Sequence, residues 1–234
     1  DIHPDETTVR AIHLPPYVNA IGAGLGAVMI SYNNWNGVEN HENAYLINTV
    51  LRTELGFDGI VMTDWDGIND NDPTYSVAIK EAVDAGIDLY MVPHSWSTFI
   101  TELTNLVNSS QVSVSQIDAA VSRILTAKFD LGLFEDSKVD DNSRDFFGNG
   151  KHREVAREAV RKSLVLLKNN NNVLPVAKSA NVFVAGRHAN NIGYQCGGWT
   201  ISWQGGPGPI QEGTTILEGI EELAYNPVTF SEDG

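Results

Sequence analysis

The chain has 234 residues, of which 42% are hydrophobic and 19% charged, a composition typical of a folded globular protein rather than a disordered one. Thirty acidic residues against fifteen basic ones give a net charge of −15, which repels nucleic-acid backbones and anionic lipid surfaces. No apolar run approaches the roughly 18 residues of a membrane-spanning helix. We therefore expect neither nucleic acid nor a membrane as a partner. The single cysteine, Cys196, excludes an internal disulfide framework and a cysteine-rich metal site.

Short apolar runs alternate with amphipathic segments through the first half of the chain. Apolar runs bounded by glycine or proline are typical of buried strands, and apolar residues three and four positions apart are typical of helices. In chain order the pattern predicts a strand at 26–32, a helix at 41–55, a strand at 59–64, a helix at 74–85, a strand at 87–92, and helices at 98–107 and 115–129, the last capped by Ser115.

The strand starts lie about thirty residues apart, which is the length of one strand–helix unit in a parallel α/β fold. Such a sheet is either doubly wound or closed into a barrel. A complete eight-unit barrel takes on the order of 250 residues, so the first half is too short to be one. We therefore expect further strand–helix units upstream of residue 1.

The second half of the chain begins after a polar, acidic, glycine-bearing segment. This segment, residues 131–150, is interpreted as a linker between two domains, 1–130 and 151–234. The sequence stops in the middle of a strand–helix unit, so a cut is expected at this end as well. Downstream of the linker the pattern predicts a helix at 151–168, a turn of four asparagines at 169–172, a strand at 181–186, a helix at 214–223 and a strand beginning at 228.

The strand predicted at 59–64 ends in a carboxylate. Enzymes with parallel α/β sheets assemble their sites at the carboxyl ends of the strands, so Asp64 is a candidate catalytic residue. Asp66 already lies in the following loop. Position alone leaves two other interpretations open for Asp64, namely that it caps the next helix or pairs with a neighbouring arginine or lysine.

Several stretches of the sequence resemble glycoside hydrolase family 3, in particular its β-glucosidases and exo-acting 1,3/1,4-β-glucanases. The resemblance extends over nearly the whole chain and implies the C-terminal part of a (β/α)8-type barrel followed by the N-terminal part of an α/β sandwich domain. The stretches that carry it are GAVMISYNNWNG (26–37), LRTELGFDGIVMTDW (51–65), AGIDL (85–89), MVP (91–93), REAVRKSLVLLK (157–168) and GYQCGGW (193–199).

The resemblance assigns a role to five residues. Asp64 corresponds to the aspartate of the family that attacks the anomeric carbon, and Trp65 and Trp199 correspond to two tryptophans that hold a sugar ring between them. Indole faces cover the apolar face of a pyranose well, although core packing is the ordinary alternative for a tryptophan. Tyr32 corresponds to a tyrosine of the sugar subsite, or is a half-buried tyrosine. Met91 lies in a matching place on the third strand, or fills the core.

The reaction that the resemblance implies is retaining hydrolysis of β-glucosides or β-glucans from the chain end. It needs two carboxyl groups, one to attack and one to act as acid and then base, and no metal or organic cofactor. In this branch of the family the acid/base is a glutamate, expected beyond residue 234. We therefore expect the chain by itself to be inactive. The acidic residues in the corresponding domain match no acid/base motif; they are Glu212, Glu232 and Asp233.

Histidine does not suggest a metal site, because no pair lies at helical spacing beside an acid. His13 and His41, near predicted strand ends, are interpreted as structural hydrogen-bonding residues.

Three alternative functions remain open: a sugar-binding fragment without turnover, a fragment that complements missing segments of the same enzyme, and the β-N-acetylhexosaminidase branch of the family. Export to the periplasm or the medium is a habit of the family rather than a property of these residues.

Overall fold

The computed structural model describes residues 1–138 and 140–234, with only the backbone of Asp70. These residues form two compact units, Asp1–Ser143 and Arg144–Gly234. Val139, within the predicted linker at 131–150, lies outside the described residues. In the described part of the chain, every helix is too short or too polar to cross a membrane.

The first unit contains a short parallel sheet. Its central pairing sets Val28 opposite Val61, both of them buried. Outside this sheet, a two-residue antiparallel pair forms the turn that follows the first strand. The strands of the unit are β1 (Ala27–Met29), β2 (Asn34–Trp35), β3 (Val38–Glu39) and β4 (Ile60–Met62).

The strand predicted at 87–92 is reduced to a parallel bridge between Met62 and Leu89, which corrects that prediction. Leu89 continues the ladder by accepting a hydrogen bond from the Thr63 N–H at 2.9 Å. One step later the Thr63 hydroxyl, rather than a backbone carbonyl, accepts the Met91 N–H at 2.7 Å. The ladder ends there because a side chain has replaced its next backbone partner.

Helices pack on this sheet and enclose an apolar core that includes Ile47, Ile79 and Phe99. The segment predicted as a helix at 41–55 is a π-helix that begins four residues later. The helical elements are α1 (Glu6–Thr8), a π-helix (Val9–His13), α2 (Pro15–Gly22), a 3₁₀-helix (Asn40–Glu42), a π-helix (Tyr45–Glu54), a 3₁₀-helix (Gly67–Asp70), α3 (Tyr75–Ala85), α4 (Trp96–Asn108), α5 (Val114–Asp130) and a 3₁₀-helix (Asp141–Asp145).

The N-cap of α5 is Ser113 and not Ser115, so the predicted cap is wrong by two residues. The Ser113 hydroxyl accepts the Gln116 N–H, and the Gln116 side chain accepts the Ser113 N–H. This reciprocal arrangement requires a glutamine or glutamate three residues after the cap. Ser115 has Asp118 at that spacing, which is why it cannot form the same box.

The second unit contains a parallel pair of strands, with helices before the first strand and between the two strands in sequence. The helix predicted at 151–168 ends at Ser163, because the four apolar residues 164–167 are consecutive and cannot lie on one face of a helix. Both units alternate helices and strands, so the chain is an α/β protein. The elements of the second unit are α6 (Gly150–Ser163), a 3₁₀-helix (Asn170–Asn172), β5 (Phe183–Ala185), α7 (Ile192–Cys196), α8 (Ile216–Leu223) and β6 (Thr229–Ser231).

Candidate active site

A tight turn follows β4 and places Asp64 at the carboxyl end of the sheet. The Asp64 carbonyl accepts the Gly67 N–H at 3.1 Å, which closes a four-residue turn. Asp66, at the third position of this turn, has a φ of +53°, a left-handed conformation that aspartate tolerates better than most residues. The chain therefore turns directly at the candidate nucleophile, two residues beyond the end of β4.

The Asp64 carboxylate is oriented by the backbone beside it. Its Oδ1 accepts the Trp65 N–H at 2.6 Å, and the residue is partly buried. A carboxylate with one oxygen held in this way presents its other oxygen in a fixed direction. Such a group is suited to attack on an electrophilic carbon.

Trp65 and Tyr32 flank the turn with exposed aromatic surface. Trp65 is 56% exposed and meets the edge of His94 with 6.0 Å between ring centroids. Tyr32 is 46% exposed, and its hydroxyl donates to the Asp66 carbonyl at 3.3 Å. Aromatic rings that are held in place and still present a face to solvent are well suited to cover a sugar ring.

The backbone of Met91 braces the turn from the neighbouring segment. Its carbonyl accepts the Asp66 N–H at 2.8 Å, and its side chain is partly buried. The backbone of Asp66 thus links two predicted site residues: its carbonyl accepts a hydrogen bond from the Tyr32 hydroxyl, and its N–H donates to the Met91 carbonyl. The structure brings together Asp64, Trp65, Tyr32 and Met91, the four predicted site residues of the first unit, and their roles remain predictions.

Thr63 is a supporting residue for which the sequence analysis predicted no role. It is fully buried, and its hydroxyl holds the Met91 N–H. A signal for it does exist in the sequence, because strand alternation points Thr63 away from the Asp64 face and into the core. A hydroxyl in that position requires a partner.

Trp199 belongs to the second unit, where a glycine-bounded loop exposes it. The residue is 88% exposed and has a φ of +61°, an uncommon conformation for a bulky side chain. Its N–H donates to the Trp203 carbonyl at 2.9 Å, which closes the loop. A β-carbon at Gly205 would overlap the Gly197 carbonyl, so the loop depends on close approach of two glycines.

An apolar cleft of about 480 Å³ lies beside β1, and Ser31 and Asn40 line part of it. None of the described side chains that line this cleft is acidic. His13, also part of the lining, is exposed. The turn after β4, rather than this cleft, therefore carries the groups for acid–base or nucleophilic chemistry. Within residues 1–138 and 140–234, no three His, Cys, Asp or Glu side chains are grouped to hold a metal ion.

Glu81, on α3, lies in an environment that disfavours its charged form, beside Glu42 and Asp72. Burial raises the pKa of its carboxyl, and the negative charges of Glu42 and Asp72 raise that pKa further. The folded protein therefore binds the proton more tightly than the unfolded chain, and this group's contribution to stability falls as the pH rises above about 4.5.

We expect Glu81→Gln to unfold at a higher denaturant concentration than the parent protein at neutral pH, with the difference shrinking on acidification. Glutamine has the shape of the protonated acid and no charge to desolvate. Denaturant midpoints measured across a pH series for both proteins give the result. A difference that is constant with pH would contradict the raised pKa.

The fold and the turn together define an α/β protein with a candidate site at the carboxyl end of its parallel strands. Two family models match the chain: the N-terminal domain of glycosyl hydrolase family 3 over residues 2–127, and its C-terminal domain over residues 164–233. The first alone covers more than half of the sequence. The chain belongs to glycosyl hydrolase family 3, which confirms the resemblance identified in the sequence.

Solved structures and named relatives agree with this assignment. An exo-1,3/1,4-β-glucanase from a Pseudoalteromonas species matches 99% of this chain with a TM-score of 0.91 and 38% identity, over 30% of its own length. A β-glucosidase from Listeria innocua matches 99% of the chain with a TM-score of 0.83 and 31% identity, over 32% of its length. The lysosomal β-glucosidase of Dictyostelium discoideum is 36% identical over 97% of this chain, which spans 29% of that relative.

Proposed function

We propose that the complete gene product is a retaining, exo-acting β-glycoside hydrolase that releases glucose from β-glucosides or β-glucans, with Asp64 as its nucleophile. The observation that carries the proposal is the Asp64 carboxylate, held by the Trp65 N–H in the turn after β4, which the exposed rings of Trp65 and Tyr32 flank. Membership of the family and the β-glucosidase and β-glucanase names of the relatives support the substrate class.

The proposed reaction has two steps. Asp64 attacks the anomeric carbon as the bond from that carbon to the leaving oxygen breaks, and a second carboxylic acid gives its proton to the leaving oxygen. The resulting carboxylate then takes a proton from water, whose oxygen attacks the same carbon and releases Asp64. The two carboxyl groups would stand about 5–5.5 Å apart. We place the second one outside residues 1–234, and the chemistry uses only carboxyl groups and water.

Trp65 and Trp199 are each proposed to contribute an indole face to sugar binding. Burial of the apolar face of a pyranose on an indole favours binding, while polar groups satisfy the hydroxyls at its edge. Tyr32 and Met91 are proposed to complete the subsite. The Listeria innocua relative has been solved with glucose, and a mutant of it with laminaribiose, which supports a glucose-sized subsite.

The architecture proposed for the complete protein follows the family. Residues 1–130 would form part of a (β/α)8-type barrel, 131–150 a linker, and 151–234 part of an α/β sandwich domain. Other segments of the same enzyme would supply the remaining strands. Relatives include a periplasmic β-glucosidase from Salmonella typhimurium, which supports export of the protein to the periplasm or the medium.

The test of this function is the anomeric form of the first product. We expect proton NMR of the complete gene product acting on an aryl β-glucoside, whose leaving group is not a sugar, to show β-glucose before the slower appearance of the α-anomer. A longer β-glucan oligosaccharide should give glucose as its only early small product. If α-glucose appeared first, or if only xylosides or N-acetylglucosaminides were hydrolysed, the proposal would be wrong.

A further inference from the structure

His41 lies in the interior of the first unit, directly behind the candidate nucleophile. It belongs to the 3₁₀-helix Asn40–Glu42, and only 1% of it is exposed. Its Nε2 accepts a hydrogen bond from the Asp64 N–H at 3.0 Å. The interpretation of His41 as a structural hydrogen-bonding residue is confirmed, and one of its partners is the backbone of the residue proposed to attack the sugar.

This hydrogen bond determines the tautomer of the ring. A backbone N–H can only donate, so Nε2 must carry a lone pair and the proton of the neutral imidazole must be on Nδ1. A protonated ring would have no acceptor for the Asp64 N–H. His41 therefore acts here as a neutral acceptor in one defined tautomer.

Close packing holds the ring in this orientation. A β-carbon on Gly67 would overlap the imidazole, so the far end of the turn rests directly against His41. The ring of Tyr32 meets the imidazole edge to face, with 5.8 Å between centroids and 70° between planes. Both ends of the turn, residues 64 and 67, thus contact the same buried side chain.

We propose that His41 is a positioning residue for Asp64, an inference that rests on the proposed function. Its acceptor fixes the Asp64 N–H, and this fixes the start of the turn. The conformation of the turn then places the Trp65 N–H so that it donates a hydrogen bond to Oδ1 of the Asp64 carboxylate. His41 thereby controls the direction of attack without touching the sugar, so its loss should slow the chemical step more than it weakens binding.

A covalent trap measures these two effects separately. The complete gene product is treated with 2,4-dinitrophenyl 2-deoxy-2-fluoro-β-glucoside, whose leaving group needs no acid and whose fluorine slows hydrolysis of the enzyme ester. Peptide mass spectrometry locates the label, and the concentration dependence of labelling separates the rate constant from the affinity. The variants are His41→Phe, which keeps a ring without an acceptor, and His41→Gln, which keeps an acceptor at a similar reach.

We expect His41→Phe to lower the labelling rate constant by about 10²-fold, with the affinity changed by less than about threefold. His41→Gln should restore most of the rate constant. The proposal is overturned if His41→Phe labels Asp64 as fast as the parent, if affinity falls in parallel with the rate constant, or if the glutamine variant is as slow as the phenylalanine variant. A parent protein with no label on Asp64 would instead overturn the proposed function.

A second measurement is independent of activity and of variant folding. Nitrogen NMR of the complete gene product with ¹⁵N-labelled histidine and aspartate should show one side chain with a protonated Nδ1 and an unprotonated Nε2 that couples to the Asp64 amide. Absence of this coupling, or the opposite tautomer on the ring that contacts Asp64, would overturn the positioning role. Both outcomes are read on the unmodified protein.

Discussion

Replacing Asp64 by asparagine should reduce turnover of an aryl β-glucoside by about 10⁴-fold or more, the range found when a covalent or general-base residue is removed. In the parent protein the Trp65 N–H donates to Oδ1 of Asp64 at 2.6 Å. Asparagine keeps an oxygen that can accept this hydrogen bond, so the turn should persist. The variant loses only the negative charge that attacks the anomeric carbon. Initial rates of the complete gene product with a chromogenic β-glucoside provide the measurement.

Asp66→Asn is the matched control for this prediction. Asparagine also tolerates the left-handed conformation at position 66, so the turn is unaffected and the loss of rate should stay below about tenfold. A further check is Asp64→Ala with added azide, which can enter from the vacated face and give the α-glucosyl azide. The assignment would fail if Asp64→Asn kept more than a tenth of the parent rate while Asp66→Asn lost it.

Replacing Asp88 by alanine should lower the free energy of unfolding by about 3–5 kcal/mol, the cost of leaving buried charges without their partner. The Asp88 side chain is fully buried and bridges Arg52 at 2.6 Å and Arg123 at 2.8 Å. It also accepts the Val61 N–H in the middle of β4. Burial lowers the pKa of the Arg52 guanidinium, and Asp88 offsets part of that effect.

Amide hydrogen exchange over the peptide that contains β4 reports the stability of this region in the complete gene product. The control is Lys80→Ala, which breaks the largely exposed pair between Lys80 and Asp84. An exposed pair of this kind contributes less than about 0.5 kcal/mol. If both variants exchanged at the same rate, Asp88 would not be the structural anchor that its burial indicates.

Local rules were sufficient to predict which residues gather at the candidate site. Apolar runs located β1 and β4, and the carboxyl ends of parallel strands meet at one edge, so Asp64, Tyr32 and Met91 could be expected to lie near one another. Trp65 follows from its place beside Asp64. The strand at 87–92 was overestimated because the sequence pattern does not reveal that the Thr63 hydroxyl ends the ladder.

The supporting contacts were harder to predict because they join residues far apart in the chain. His41 and Asp64 are 23 positions apart, and Asp88 lies 35 and 36 positions from its two arginines. Periodicity describes which face of an element is buried, and it carries no information on which polar group meets another. Only the packed structure identifies these partners.

The left-handed residue at the centre of the turn has a consequence for natural variation and for library design. Position 66 contributes its backbone to the site: its N–H donates to the Met91 carbonyl, and its carbonyl accepts from the Tyr32 hydroxyl. Selection at this position therefore acts on backbone conformation rather than on charge. Glycine and asparagine are interchangeable with Asp66 in that respect, whereas β-branched residues are not. A library that randomises this loop to alter substrate preference retains its nucleophile geometry only where position 66 is limited to such residues.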